Sequence, residues 1–180
     1  HKEYRRQRQM CIRDRPTLVS MESEVVNRRE DLAYYSKLLN IPKINYQIEE
    51  NCKNFESICS GQKIVDVSLM TEESKYLIQN VRDQLGATKV TTVLCLPSGS
   101  SKQLLNNQIS KYMDFKPIIA FTKIDECQLF ARELCVLASK HVKMGLITGS
   151  KTILGSVALS VPDVLARHLE SYINDGFSNE

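Results

Sequence analysis

The sequence predicts an α/β fold, a three-layer sandwich in which helices cover both faces of a mostly parallel sheet. From residue 17 onward, short apolar runs rich in β-branched residues alternate with longer segments whose apolar residues recur at helical spacing. This alternation is typical of parallel strands, because each right-handed crossover between two parallel strands needs a connecting helix. The 180 residues, 42% of them apolar and 25% charged, are enough for one domain with a substantial core.

Six segments have the character of strands. Segment 90–96, VTTVLCL, is the most strand-like, since β-branched and apolar residues occupy both of its faces, as in a buried central strand. Segment 44–48 is weaker because polar residues interrupt it. The predicted strands are residues 17–21, 44–48, 63–67, 90–96, 118–121 and 143–148.

Between the strands, the spacing of apolar residues predicts helices, and capping residues set their ends. Asn40 followed by Pro42 ends the first helix, Gly86 ends the third, and Ser100 or Ser101 caps the fourth. The loop PSGSSK before the fourth helix superficially resembles a phosphate cradle, but it lacks the Gly-x-x-x-x-Gly-Lys-Ser/Thr spacing. The predicted helices are residues 27–39, 51–59, 71–85, the serine cap to 115, 127–141 and 162–172.

The most informative stretch is residues 117–126, PIIAFTKIDE, in which a buried strand ends abruptly in a polar turn. Ligands of open α/β sheets bind at the carboxyl ends of strands, where this turn places Thr122, Lys123 and Asp125. The Asp125 carboxylate can accept two parallel hydrogen bonds from N1–H and N2–H of guanine, a donor pair that adenine lacks. The aliphatic stem of Lys123 can lie along the base. The simpler alternative is an ordinary turn in which Asp125 caps a helix.

The cysteines and histidines show no spacing that indicates a metal site. No CxxC pair and no HExxH motif occurs, and no run of 18 apolar residues could span a membrane. This pattern predicts reduced, mostly buried thiols in a cytosolic protein. The residues concerned are Cys11, Cys52, Cys59, Cys95, Cys127 and Cys135, with His1, His141 and His168.

The first fifteen residues carry a net charge of +4, whereas the remaining 165 sum to −1. Such a segment could be an arm for nucleic acid or an anionic membrane, or a solvated end. A third interpretation is preferred, because RQMCIRDR resembles translated sequencing-adapter read-through at the edge of an assembled contig. We therefore expect residues 1–15 to be non-native, residues 16–173 to form the domain, and residues 174–180 to be a disordered tail.

Three segments together resemble one family of nucleotide hydrolases. FTKIDE, with VKMGLITG about twenty residues later, is similar to the guanine-recognition half of the signal-recognition-particle class of GTPases, in particular its flagellar FlhF-like members. REDLAYYSKLLNIP is similar to the family segment in which a Glu-Gln-Leu helix runs into a Gly-Val-Pro turn. The resemblance spans residues 17–172 and implies a P-loop-NTPase-like fold that lacks its first strand and phosphate loop. The strand and helix pattern alone also fits a flavodoxin-like or receiver domain.

The resemblance implies a site, and departures from it limit the chemistry. The nucleotide-binding residues would be Thr122, Lys123, Asp125, Gly149, Ser150 and Asp66. The family's Asp-Thr-x-Arg aligns with Glu22, Ser23 and Val25, so the arginine is lost. In its Asp-Thr-Ala-Gly-Arg motif only Asp66 remains, and Leu69 replaces the glycine. We therefore expect weak or absent hydrolysis and assign neither catalytic nor metal-ligating residues.

The resemblance also implies ligands and partners. The ligand would be GTP or GDP, with Mg²⁺ expected only together with the missing phosphate loop. Partners would be a second copy, another GTPase of the class, or flagellar basal-body or polar factors, with no direct binding of nucleic acid. The expected location is the cytoplasm, peripherally at the inner face of the cell membrane. The alternatives are a working GTPase whose missing parts lie upstream and a structural interaction domain that binds no nucleotide.

Overall fold

The structure is a computed structural model, and it describes residues 16–22, 31–47, 55, 61–68, 71–127, 131–149, 157–163, 165–167 and 170. The chain divides into two compact units, His1–Val90 and Thr91–Glu180. Each unit has its own sheet and its own cluster of buried apolar side chains.

The first unit contains a parallel sheet of three strands in the order β2-β1-β3. Ser20 of the central strand lies beside Asn45 on one side and Asp66 on the other. The order along the chain is β1 (Thr17–Glu22), α1 (Asp31–Leu39), β2 (Lys43–Gln47), β3 (Lys63–Val67) and α2 (Thr71–Leu85). Strand β3 and helix α2 thus have the bounds that the sequence predicts.

The core of the first unit lies between its strands and the apolar stripe of α2. Leu77 and Val81, four residues apart on one face of α2, are both buried against the sheet residues. Phe55 packs edge-on against Tyr46 with ring centroids 5.6 Å apart. The buried cluster consists of Val19, Met21, Tyr46, Phe55, Leu77 and Val81.

Helix α1 ends as predicted but does not bury its predicted face. Asn40 adopts a left-handed conformation with φ 51°, and the Ile41 N–H donates to the Ser36 carbonyl, which closes the helix. The helical spacing of Leu32, Tyr35, Leu38 and Leu39 predicts a buried apolar stripe, and this prediction is wrong for the last three, which are 42%, 50% and 53% exposed. Helical spacing shows which side chains share a face but not whether another element covers that face.

The second unit contains four strands in the order β4-β5-β6-β7. Strands β4, β5 and β6 are parallel, and β7 runs antiparallel to β6. The elements are β4 (Val93–Pro97), α3 (Lys102–Tyr112), β5 (Ile118–Thr122), α4 (Ala131–Ser139), β6 (Met144–Thr148) and β7 (Val157–Leu159). The parallel strands, crossover helices and mixed α/β composition confirm the predicted fold class.

Strand β5 is the buried centre of this sheet, whereas β4 is less buried than predicted. Ile119, Ala120 and Phe121 are at most 2% exposed. Among the described strands β4 pairs only with β5, and its side chains alternate between exposed and covered. The prediction that both faces of β4 are buried is therefore wrong, because only Leu94 and Leu96 pack into the core while Val93 is 44% exposed.

The sequence pattern missed strand β7. Its three residues, Val, Ala and Leu, are all apolar, so the sequence shows no apolar–polar alternation that would reveal a strand, and in the structure all three are exposed. Strand β7 is held to β6 by the ladder and by Ser160, whose N–H donates to the Gly145 carbonyl at 3.0 Å. The predicted helix 51–59 falls outside the described residues apart from Phe55, and helix 162–172 is described only in part.

Two further expectations concern the thiols and the membrane. Cys95 and Cys135 are exposed and Cys127 is intermediate, so the expectation of mostly buried thiols is wrong for these three. The other three cysteines lie outside the described residues. Within the described part of the chain, every helix is too short or too polar to cross a membrane.

Candidate functional site

The turn after β5 is fixed by backbone hydrogen bonds to both neighbouring strands. The Ser98 N–H, just after β4, donates to the Thr122 carbonyl at 2.8 Å. On the other side, the Ile124 N–H donates to the Thr148 carbonyl of β6 at 3.2 Å. Backbone hydrogen bonding therefore continues beyond the end of β4 and beyond the end of β5, and it fixes the position of the turn.

Within the turn, Lys123 makes the sharp change of direction. Its φ is 60°, in the left-handed region that non-glycine residues seldom adopt. Its carbonyl accepts from the N–H groups of Glu126 and Cys127 at 3.1 and 3.0 Å. Other described non-glycine residues with positive φ, such as Asn40 and His141, follow helices, where this conformation is common. Backbone strain at a strand end is more typical of a functional turn.

The side chains of the turn alternate between the core and solvent. Ile124 packs against the core of the second unit, while Lys123 and Asp125 on either side of it are exposed. The Lys123 ammonium lies 3.5 Å from the Glu126 carboxylate in an exposed pair, which adds little stability. The anchored isoleucine thus presents the two predicted base-binding side chains outward, both free of the core.

Gly149, directly after β6, lies against the backbone of the same turn. A Cβ at this position would be 2.2 Å from Ile124 Cγ1 and 2.8 Å from the Asp125 nitrogen. Only a residue without a side chain fits there without moving the turn. The structure therefore brings Gly149 together with Thr122, Lys123 and Asp125, four of the six predicted nucleotide-binding residues.

The remaining predicted residues lie elsewhere or outside the described residues. Asp66, in the first unit, accepts a hydrogen bond from the Ser68 hydroxyl at 3.3 Å. Ser150, Ser23, Val25 and Leu69 are not among the described residues. In the described part of the chain, no three His, Cys, Asp or Glu side chains cluster as metal ligands.

The loop between β4 and α3 has the structure of a capped helix start and not of a phosphate cradle. The Ser101 hydroxyl accepts from the Leu104 N–H at 3.2 Å, which confirms the predicted serine cap. The Gly99 N–H, which a phosphate cradle would offer to an anion, donates instead to the Glu133 carboxylate at 2.7 Å. This loop therefore does not fit a phosphate group.

Glu133 is the contributing residue that the sequence reasoning missed. It lies on α4 and is 0% exposed, although glutamate is almost never fully buried unless paired. A signal was present, because Glu133 lies three and four residues before the buried Val136 and Leu137 and thus shares their apolar face.

Comparison with known proteins gives structural matches only. No protein-family model and no curated protein matches the chain. FlhF complexed with GMPPNP and Mg²⁺ superposes with a TM-score of 0.66 at 16% identity, over 85% of this chain and 61% of FlhF. FlhF complexed with GTP and Mg²⁺ gives a TM-score of 0.67 at 16% identity, over 89% of this chain and 64% of FlhF. The 54 kDa signal recognition particle protein from Aeropyrum pernix K1, in complex with GDP, gives a TM-score of 0.58 at 16% identity. This match covers 98% of this chain and 43% of that protein chain.

These matches establish the fold. The chain spans about three-fifths of the length of the FlhF structures that it matches. The P-loop-NTPase-like architecture expected from the resemblance is confirmed. This chain has the fold of the FlhF and signal-recognition-particle GTPases.

Proposed function

We propose that the chain is a guanine-nucleotide-binding domain of the signal-recognition-particle GTPase type, with little intrinsic hydrolysis. The observation that carries the proposal is the turn after β5. Its shape is held by β4 and β6, its two polar side chains face solvent, and Gly149 closes against it. The position at the carboxyl ends of parallel strands is where open α/β sheets bind ligands.

Each residue of the turn has a distinct role in this proposal. The Asp125 carboxylate accepts hydrogen bonds from N1–H and N2–H of guanine, and this pairing selects guanine over adenine. The methylenes of Lys123 cover one face of the base, and its ammonium stays in solvent near Glu126. Gly149 leaves room for the turn to keep the Asp125 N–H and carboxylate in place.

The proposed binding of the phosphates involves few residues of this chain. Magnesium, when bound with the phosphates, would neutralise their charge, and Asp66 is the residue of this chain assigned to that side of the nucleotide. The chain contains no Gly-x-x-x-x-Gly-Lys-Ser/Thr, and Val25 and Leu69 stand where the resembling family has arginine and glycine. These substitutions remove charge and backbone access, so binding without rapid turnover is the expected activity.

We extend the proposal to a role in the placement and assembly of flagella, at the inner face of the cell membrane. Support comes from the likeness of FTKIDE and REDLAYYSKLLNIP to the flagellar branch and from the match to FlhF structures. The partner would be a second copy of this chain or another GTPase of the same class.

A second candidate function is a partner-binding domain that retains the fold and no nucleotide. The exposed face of α1 favours it, because four large apolar side chains there are 42–60% exposed. Exposed apolar patches of this kind commonly mark interaction sites. The side chains are Tyr34, Tyr35, Leu38 and Leu39.

Titration calorimetry with GDP distinguishes the two functions. Asp125→Asn should weaken GDP binding by about 1–3 kcal/mol, because an amide cannot offer two acceptors to N1–H and N2–H. The same variant should improve xanthosine diphosphate binding, since xanthine carries a carbonyl where guanine carries the amino group. Glu126→Gln is the matched control, an exposed carboxylate one residue away that should leave both affinities unchanged.

The calorimetry also has clear contrary outcomes. A wild-type chain that does not bind GDP would contradict nucleotide binding and leave the interaction domain as the better reading. Equal losses for Asp125→Asn and Glu126→Gln would show that the turn does not read the base.

A further inference from the structure

Glu133 is fully buried but is not one of the proposed base-binding residues. Its carboxylate lies in the apolar face of α4 and accepts the Gly99 N–H at 2.7 Å. Burying a carboxylate is unfavourable unless hydrogen bonds satisfy it, and hydrogen bonds to a charged acceptor are among the stronger ones. The bond joins α4 to the loop after β4, two segments separated by 34 residues in sequence.

Gly99 connects this bond to the turn after β5. Its φ is +80°, and a Cβ there would lie 2.4 Å from the Cys127 sulfur, so the loop backbone is in close contact with Cys127. The Cys127 N–H in turn donates to the Lys123 carbonyl. A continuous path of contacts therefore runs from Glu133 through Gly99 and Cys127 to Lys123, at the side of the turn where the chain leaves for α4.

We propose that Glu133 is a positioning residue for the guanine-reading turn, an inference that rests on the proposed function. The strand-side bonds of Ser98 and Ile124 hold the entry and middle of the turn. Glu133 holds Gly99 against Cys127 and thereby holds the exit. Without it the turn would populate other conformations, and apparent affinity would fall in proportion to the competent fraction.

Two substitutions at Glu133 separate the acceptor from the charge. Glu133→Ala removes the acceptor for Gly99 and should lower GDP affinity about tenfold or more, as the competent fraction falls. Glu133→Gln keeps a carbonyl oxygen in the same place and should restore affinity to within about threefold of the wild type. Leu137→Ala is the matched control, since Leu137 is buried on the same helix and belongs to the core. It should destabilise the fold without a comparable loss of affinity per folded molecule.

A readout that does not need nucleotide completes the test. Glu133→Ala should speed amide hydrogen exchange at Glu126 and Cys127 about tenfold or more, because their bonds to the Lys123 carbonyl would open more often. Leu137→Ala should not speed these two amides selectively. If wild-type protein binds no GDP, the proposed function fails while exchange still tests the role of Glu133. If Glu133→Ala matches Leu137→Ala in exchange and in affinity, the positioning role is overturned.

Discussion

The two units differ in how their proposed functional residues are held. In the second unit the turn after β5 is bonded through its backbone to β4 on one side and β6 on the other. In the first unit the described candidate, Asp66, has a hydrogen bond from the Ser68 hydroxyl, only two residues along the chain. The turn after β5 is thus bonded on two sides, whereas Asp66 lies in β3, whose described backbone pairing is to β1 alone.

This difference predicts which sequence changes the two sets of residues would tolerate. A turn held by backbone N–H and carbonyl groups keeps its shape when neighbouring side chains vary, provided the close approach at Gly149 is kept. A phosphate site needs particular charges and a bare glycine, so on the proposed alignment the replacements at Val25 and Leu69 would remove its chemistry. The buried cluster described in the first unit consists of other residues.

The largest effect is expected for hydrolysis. A chimaera that joins this chain to a phosphate-loop segment should still hydrolyse GTP very slowly, because an arginine in the role that Val25 fails to fill is worth about 10³–10⁵ in rate. Val25→Arg and Leu69→Gly together should accelerate single-turnover hydrolysis more than either change alone. The measurement should include a second copy of the chain as partner.

The contrary result for hydrolysis would be turnover of about 1 s⁻¹ without the two replacements, within the range of active enzymes of phosphoryl transfer. It would mean that other residues supply the missing charge, and that the first unit is as intact functionally as the second.

A smaller effect is expected at Gly149. Gly149→Ala forces a Cβ to within 2.8 Å of the Asp125 nitrogen, so the turn must move. Overpacking of this kind costs about 1–3 kcal/mol in unfolding free energy. GDP affinity should fall with it, since the strain is placed on the turn itself. Calorimetry and chemical denaturation measure the two effects.

Gly145→Ala is the control for Gly149→Ala. Its Cβ would lie 2.4 Å from Ile118 Cγ2, a crowded position near the other end of the same strand. It should destabilise the protein and leave affinity per folded molecule unchanged. Equal losses of affinity for the two variants would show that Gly149 acts through general stability.

The smallest effect is expected for the basic N-terminal segment. Removing residues 1–15 should change the unfolding free energy by less than about 0.5 kcal/mol, because the segment has no apolar periodicity with which to pack. Denaturant titration measures it. A loss above about 1 kcal/mol would show that the segment belongs to the first unit.

Most of the fold was accessible from local patterns. Strand β3, helix α2 and strand β5 have strong periodicity or clear end signals such as Gly86 and the polar turn after Phe121. Strand β7 and the exposed face of β4 were not accessible, because strand pairing and burial depend on which distant segments are neighbours. Hydrophobicity alone cannot distinguish a strand with two covered faces from a strand with one.

The candidate site could be predicted in part, because only some of its contacts join residues that are close together in the sequence. Thr122, Lys123 and Asp125 form one continuous motif, so their spacing was enough to single them out. The contacts of Gly99 with Glu133 and Cys127 join residues 28 to 34 positions apart, which no local pattern encodes. The resemblance to a family added Gly149, whose packing against the turn is a matter of backbone approach and not of residue type.

Strand β7 has a consequence for behaviour at high concentration. Without it, the MGLIT segment of β6 would present a five-residue, uncharged row of unpaired backbone groups, a typical template for aggregation. The three-residue β7 pairs with Leu146, Ile147 and Thr148 of that edge. The adjoining Ser160 donates hydrogen bonds to the carbonyls of Gly145 and Met144 at the start of β6. Ser160→Pro removes both bonds and should raise light scattering on concentration or mild heating. Unchanged scattering would show that the edge of β6 is protected in another way.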